Sequence, residues 1–466
     1  MESEYAGAQL GDLRRSQRLT WLAKRIWRSP AQSIPKVLGE AGSEAFYRFT
    51  NNAAVSPKSI LQPHLEETCR RAAEEEVIVV AHDTTDIKFE GVRHGLGELP
   101  GRKQGFFLHA ALGVSLRGKR KPLGLLGMQT VFRRQATKGK RSKEEVRQDN
   151  QRESLRWHDL RSEVGVRARS QGFEVIHTMD READDYELFS EILADGERFV
   201  IRVCRNRNLA KQAGGGKLFE TLEMAPKAFY RDVDLSPRTK RKGKSRQDLK
   251  SHPLRRARRA KLAFSATAVE IPRPTYLPDS LAETLSLNVV HIVEVGAPAG
   301  EEPVQWRLFT TESIDTQKDI ERIADIYLSR WLIEEFFKSL KTGCGFQKRQ
   351  LENVDSILNA LALFMPIAFG LLLLRYLGQE REQESGEAIL SQTQIAVLRA
   401  FSTQPLPPNP TARELMLAVA SLGGHLKRNG DPGWLVLGRG YQEMLTLEQG
   451  WVAAMRMKQA SDAPTH

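Results

Sequence analysis

Apolar and polar positions alternate along the middle of the chain in a way that predicts strands and helices in turn. Val77 to Val80 is a short β-branched run of the kind found in central strands, and Asp83 follows just past it. Phe106 to Leu116 and Lys121 to Phe132 predict two further strands joined by a basic turn. A polar stretch then leads into a helix around Leu155 to Ser170. Phe173 to Thr178 predicts the next strand, followed at once by Asp180. Helix Asp184 to Ala194 and strand Phe199 to Val203 continue the alternation. Acidic residues at strand ends are where open α/β sheets place their chemistry.

On either side the pattern changes. From Asp12 to about Cys69 it is helical and basic. Arg14, Arg15 and Arg18 form one turn-spaced group and Lys24, Arg25 and Arg28 another, opposite Leu19, Trp21, Leu22 and Ile26. That face reads either as solvated surface or as a small DNA-binding bundle. Between about residues 203 and 303 the alternation gives way to a glycine run, a charge run and β-rich pieces at Ala263 to Ile271 and Leu287 to Val295. Trp306 to Thr311 predicts one more strand and Ile320 to Thr342 one long helix. Ile357 to Leu374 is apolar enough to suggest a membrane span. Asn359, Pro366 and the polar helix before it favour a buried helix or a subunit interface, so no membrane partner is expected. The proline-rich Pro405 to Pro410 marks a linker before a helical tail.

Composition adds a sign. The chain has 466 residues, long enough for about two to four domains, and 70 Lys+Arg against 58 Asp+Glu. A basic excess points to nucleic acid before other partners. Residues Arg238 to Lys261 hold twelve Lys/Arg and one Asp, a net of +11 against +12 for the whole chain. Set between predicted strands, this run reads as a phosphate-binding insertion. Cys69, Cys204 and Cys344 are scattered and form no CxxC pair, which supports neither disulfides nor zinc. With no apolar stretch near Met1, a reducing cytoplasmic location, nucleoid-associated when bound to DNA, is expected.

Candidate chemistry concentrates in the predicted helix. Tyr327, Arg330, Glu334 and Lys341 lie at offsets 0, 3, 7 and 14, within an arc of roughly 60° at about 100° per residue. Glu335 is rotated about 100° away. An Arg330–Glu334 pair alone would be an ordinary surface ion pair. Asp83 and Asp180 change that: three carboxylates from two strands and a helix suit Mg²⁺, with Mn²⁺ able to substitute. Two such ions support in-line attack on phosphorus, with the basic residues and Tyr327 holding phosphates.

These residues carry a resemblance. HDTTD (His82 to Asp86), MDREAD (Met179 to Asp184), ERFVIR (Glu197 to Arg202), QWRLFTT (Gln305 to Thr311) and YLSRWLIEEFFKSLKTG (Tyr327 to Gly343) are similar to DDE transposases of the insertion-sequence group typified by the transposon-five transposase. The last segment is that group's Y-x2-R-x3-E-x6-K signature. GDLRRSQRL, AFYRFTNN and LGGHLKRNGDPGW extend the likeness over most of the chain. The resemblance implies an α/β fold with an RNase H-like core, a mixed sheet flanked by helices. A helical DNA-binding region (1–70) would precede the catalytic domain (71–370), which holds a β-rich basic insertion (203–303). A helical dimerisation region (371–466) would follow.

It further implies that Asp83, Asp180 and Glu334 are the metal-binding triad, and that Tyr327, Arg330 and Lys341 contact DNA phosphates. Arg202 would handle the transposon end. Trp306, which by itself reads as core or as stacking platform, would engage a flipped base. The implied activity is cut-and-paste transposition of double-stranded DNA through a hairpin, by a homodimer synapsing two ends. The alternatives are a catalytically silent DNA-binding regulator and another RNase H-like endonuclease. His82 stands where the family often has an acid, either a tolerated substitution or a group that tunes the site.

Overall fold

The computed structural model describes all residues except 1, 102, 119, 134–141, 212–213, 236, 239–253, 381–384, 386, 388–389, 427–430 and 462–466. Most of the basic run Arg238 to Lys261 therefore lies outside the described residues, as does part of LGGHLKRNGDPGW.

Helices α1 (Leu13–Trp27), α2 (Ile34–Thr50) and α3 (Pro57–Ala73) open the chain. The β-branched run that follows grows into a strand of 13 residues, β1 (Val77–Phe89), far longer than its apolar start. Strands β2 (Gly97–Leu99), β3 (Lys103–Ser115) and β4 (Pro122–Val131) come next, then helices α4 (Lys143–Gln148) and α5 (Leu155–Gln171). Strand β5 (Glu174–Met179), helix α6 (Tyr186–Ala194) and strand β6 (Arg198–Arg202) complete the core alternation. The interrupting segment holds α7 (Leu218–Met224), β7 (Phe229–Leu235), β8 (Arg258–Pro272) and β9 (Thr284–Val295), and β10 (Gln305–Thr310) follows.

Among the described residues these strands form one ten-stranded mixed sheet, β2-β3-β1-β5-β6-β10-β9-β8-β7, with β4 also on β3. Only β1–β5 and β5–β6 pair in parallel. The meander β1-β3-β4 followed by parallel β5 and β6, with helices between, is the expected RNase H-like arrangement. The β-rich insertion continues that sheet, because β10 pairs antiparallel with both β6 and β9.

The predicted helix Ile320 to Thr342 is not uniform. It is α8 (Gln317–Ser329), α9 (Trp331–Lys338) and a π-helical turn Ser339–Gly343. At Arg330 the bonding tightens to three-residue steps, Arg330 N–H to the Tyr327 carbonyl and Ile333 N–H to the Arg330 carbonyl, both at 3.2 Å. A tightened step and a widened one offset each other, and neither leaves a trace in hydrophobic spacing.

The apolar segment is the spine of the molecule, α10 (Val354–Glu380), followed by α11 (Gln392–Phe401), α12 (Ala412–Leu422) and α13 (Trp434–Ser461). Of its most apolar stretch, 83% is buried inside the protein. Its few polar groups bind neighbours: Asn359 donates to the carbonyls of Thr50 at 2.9 Å and Val55 at 3.2 Å. Tyr5 donates to the Leu363 carbonyl at 2.5 Å, and Ser339 to that of Ala368 at 2.8 Å. The opening helices and the π-turn thus both dock on α10.

Candidate active site

Backbone register sets one half of the site. Ala81 of β1 stands opposite Thr178 of parallel β5. Two residues further on, Asp83 and Asp180 stand at the same level. Asp83 is not past its strand, as the apolar run suggested. The parallel ladder ends at Ala81, but β1 continues, with Asp83 paired to Ala110 of β3. Each aspartate is oriented by a nearby amide: Asp83 Oδ1 accepts from Thr84 N–H at 2.8 Å, and Asp180 Oδ1 from Glu182 N–H at 2.8 Å.

The other half comes from α8 and α9. α8 starts at a capping box between Thr316 and Asp319 and buries Ile320, Ile323, Ala324, Ile326 and Tyr327. That packing aims the Arg330 side chain, only 9% exposed, across the strand ends. Its Nη1 donates to Asp83 Oδ2 at 2.8 Å and its Nη2 to Glu334 Oε1 at 2.6 Å. One guanidinium therefore joins the strand half to the helix half.

The charge balance is uneven. Burial pushes the Asp83 carboxyl up to about 7; Arg330 opposes this, while the charges of Asp180 and Glu334 add to it. Burial pulls the Arg330 guanidinium down, but Asp83, Tyr327 and Glu334 outweigh it and hold the group above its ordinary range. Three oxygen-donor side chains with excess negative charge match the preference of a hard divalent cation. As they stand, no three acidic, His or Cys side chains among the described residues close around one point, and Arg330 lies between Asp83 and Glu334.

Lys341 comes from the π-turn. Its Nζ donates to Thr85 Oγ1 at 2.6 Å and Asp86 Oδ1 at 3.0 Å, both on β1. Burial pulls its ammonium below the usual lysine range, with Asp86 opposing. Tyr327 is 2% exposed and meets Trp306 edge to face at 5.3 Å. Trp306 is half-buried, so it serves as a wall for Tyr327 and still presents part of its surface. Arg202, at the end of β6, donates to the Gln305 carbonyl at 3.2 Å; burial pushes the Tyr327 phenol up, with the charges of Arg330 and Arg202 opposing.

Arg14, Arg15 and Arg18 lie apart from this group on α1. Arg14 and Arg18 are exposed, the latter with its guanidinium 5.4 Å from the Trp21 ring centre. Arg15 is half-buried and donates to the Leu10 carbonyl at 3.0 Å.

Some neighbours show their partners only in the fold. Glu335, the glutamate turned aside, is gripped by Lys338 Nζ at 2.5 Å, Arg375 Nη1 at 2.6 Å and Trp434 Nε1 at 2.7 Å. His82 is fully buried. Its Nε2 lies 3.0 Å from His177 Nδ1, and His177 Nε2 lies 3.0 Å from Glu197 Oε2. Burial, with the charges of His177 and His109, holds the His82 imidazole well below its ordinary value. It is neutral at pH 7 and packs under the site. Only the pairing of strands reveals such a chain.

Comparison with known proteins places the chain among transposases. A family model described as a transposase DNA-binding domain matches residues 1–55, and one described as a transposase DDE domain matches residues 129–365. Asp180 and Glu334 fall inside the second match and Asp83 before it. Among solved structures, the chain is similar to a piggyBac transposase synaptic complex with hairpin DNA, with a TM-score of 0.34 and 10% identity over 88% of this chain. It spans 59% of that transposase's length, and a likeness so distant bears on neither fold nor function. The DDE-domain match covers just over half of the sequence, and the chain belongs to the DDE-domain transposase family.

Proposed function

We propose that this protein is a cut-and-paste DNA transposase that binds inverted-repeat ends, cleaves them, and joins the freed 3′-hydroxyls to target DNA. The observation that carries this reading is the meeting of Asp83 and Glu334 on the Arg330 guanidinium, beside the strand that delivers Asp180. Asp83, Asp180 and Glu334 would hold the divalent ions, Mg²⁺ or Mn²⁺ in its place, which when bound activate the attacking oxygen and stabilise the leaving one.

The other groups bind and orient DNA. Arg330 and Lys341 flank the carboxylates as fixed positive charges for phosphate oxygens, and Arg202 extends this line toward β10. Tyr327 supplies a phenolic donor and, with Trp306, an aromatic wall on which a base extruded at a hairpin can rest. Arg14, Arg15 and Arg18 belong to the end-binding region, residues 1–70. Residues 71–370 carry the chemistry, with 203–303 as the insertion. Residues 371–466 join two copies, so that each DNA end meets one site in a homodimer acting at the nucleoid. The reaction runs through hydrolysis at the end, hairpin closure by the freed 3′-hydroxyl, reopening, and strand transfer.

The test is incubation with Mg²⁺ and DNA bearing the element's own terminal inverted repeats. Nicking at the 3′ end, followed by a hairpin band on denaturing gels, is expected. A preparation that binds those ends but never nicks them overturns the enzymatic reading.

A further inference from the structure

The two aspartates are oriented by the backbone N–H groups of Thr84 and Glu182. The side chains of those same two residues are held by one arginine outside the triad. Arg156, in the first turn of α5, donates from Nε to Thr84 Oγ1 at 2.9 Å and from Nη2 to Glu182 Oε2 at 2.6 Å. Its Nη1 donates to the Glu153 carbonyl at 2.5 Å. Its side chain is 12% exposed, whereas that of Glu182 is 58% exposed. Thr84 is fixed from its other side by the buried His109, whose Nδ1 lies 2.9 Å from the hydroxyl.

We infer that Arg156 is a positioning residue that sets the spacing of Asp83 and Asp180. It spans strand β1 and the turn after β5, whose amides orient the carboxylates. Each of its three nitrogens is engaged by protein, which separates it from the phosphate-contacting arginines. The planar, branched head is what allows one side chain to reach both the strand and the turn, and lysine has no second arm. Outer partners of this kind tune metal affinity and rate without touching the substrate. The inference rests on the proposed triad.

The test uses the full-length protein with Arg156→Ala, Arg156→Lys and Glu182→Ala, beside Asp83→Asn and Asp180→Asn. Three quantities are measured: binding of end DNA without metal, the rise in Tm on adding Mn²⁺, and the Mg²⁺ dependence of nicking. Arg156→Ala is expected to bind ends normally, to need roughly 10- to 100-fold more metal in both metal titrations, and to nick more slowly. Arg156→Lys should recover only part of this. Glu182→Ala, at an exposed acid, should move the metal dependence the same way, and the double variant should be no worse than Arg156→Ala alone. The inference is overturned if the metal dependence stays unchanged while rate or stability falls. Loss of end binding with a smaller salt slope also overturns it, because Arg156 would then be a phosphate contact. If Asp83→Asn and Asp180→Asn nick at the normal rate, the triad itself fails. If they are inactive while Arg156→Ala and Glu182→Ala match the unaltered protein, only the positioning role fails.

Discussion

The two halves of the site are built on different principles. Asp83 on β1 and Asp180 just past the end of β5 each lie two residues beyond the last rung of one parallel ladder, Ala81 opposite Thr178, whose register sets their relative level. Glu334, Arg330 and Lys341 stand on a helix interrupted at Arg330 and unwound into a π-turn, so nothing periodic fixes them. Tertiary ties do that work. Glu335 is held by Arg375 of α10 and Trp434 of α13, and Lys341 by Thr85 and Asp86 of β1. A sheet carries its own geometry, whereas the helical half depends on the segments that follow it.

Changes to the strand half should therefore act on chemistry, and changes to the helix ties on placement. The largest effect is expected from Asp83→Asn, which removes the charge of a proposed metal ligand without altering register. Nicking of end DNA should fall by on the order of 10³-fold or more while end binding persists. Lys341→Ala should come next, slowing nicking by about 10- to 100-fold and lowering the salt slope of DNA binding by about one. A normal slope would make Lys341 a purely structural tie to β1.

Glu335→Ala leaves three donors without their acceptor, and a loss of about 1–3 kcal/mol is expected. Tm should fall and nicking should slow, while Glu335→Gln, which still accepts hydrogen bonds, recovers part of both. An unchanged Tm would break the claim that α10 and α13 position the helix that carries Glu334.

The smallest effect on cleavage should come from the scaffold shared by both halves. Burial pushes the Glu4 carboxyl up, but His64 at 2.5 Å and Arg71 at 2.8 Å outweigh it and hold the group down at about 2. Its native value lies below its ordinary 4.5. Its contribution is thus full above about 4.5 and is lost as pH falls toward about 2; the shift corresponds to roughly 3 kcal/mol. Glu4→Gln should flatten the acid limb of the Tm–pH curve and leave nicking at neutral pH unchanged. An unaltered acid limb would remove Glu4 from the scaffold.

The same contrast explains what was legible in the sequence. Strand runs and the acids beside them announce a sheet and its reactive end, so Asp83 and Asp180 could be read before any coordinates. Even there, the extent of β1 was missed, because its second half is polar and persists only through pairing with β3. Uniform helical geometry picked Glu334 over Glu335, and Glu334 does reach Arg330. The break and the π-turn were invisible, since hydrogen-bond spacing is not encoded in hydrophobic period. Arg156 and Glu335 carried no signal, because an arginine in a charged stretch and a second glutamate look like solvated surface until their partners arrive from distant segments.

The most direct measurement is a paired nicking assay on one end duplex with Mg²⁺, using the unaltered protein and Glu334→Ala at concentrations that saturate the DNA. The account predicts equal binding by both and nicks from the unaltered protein alone. Equal nicking by Glu334→Ala would contradict it.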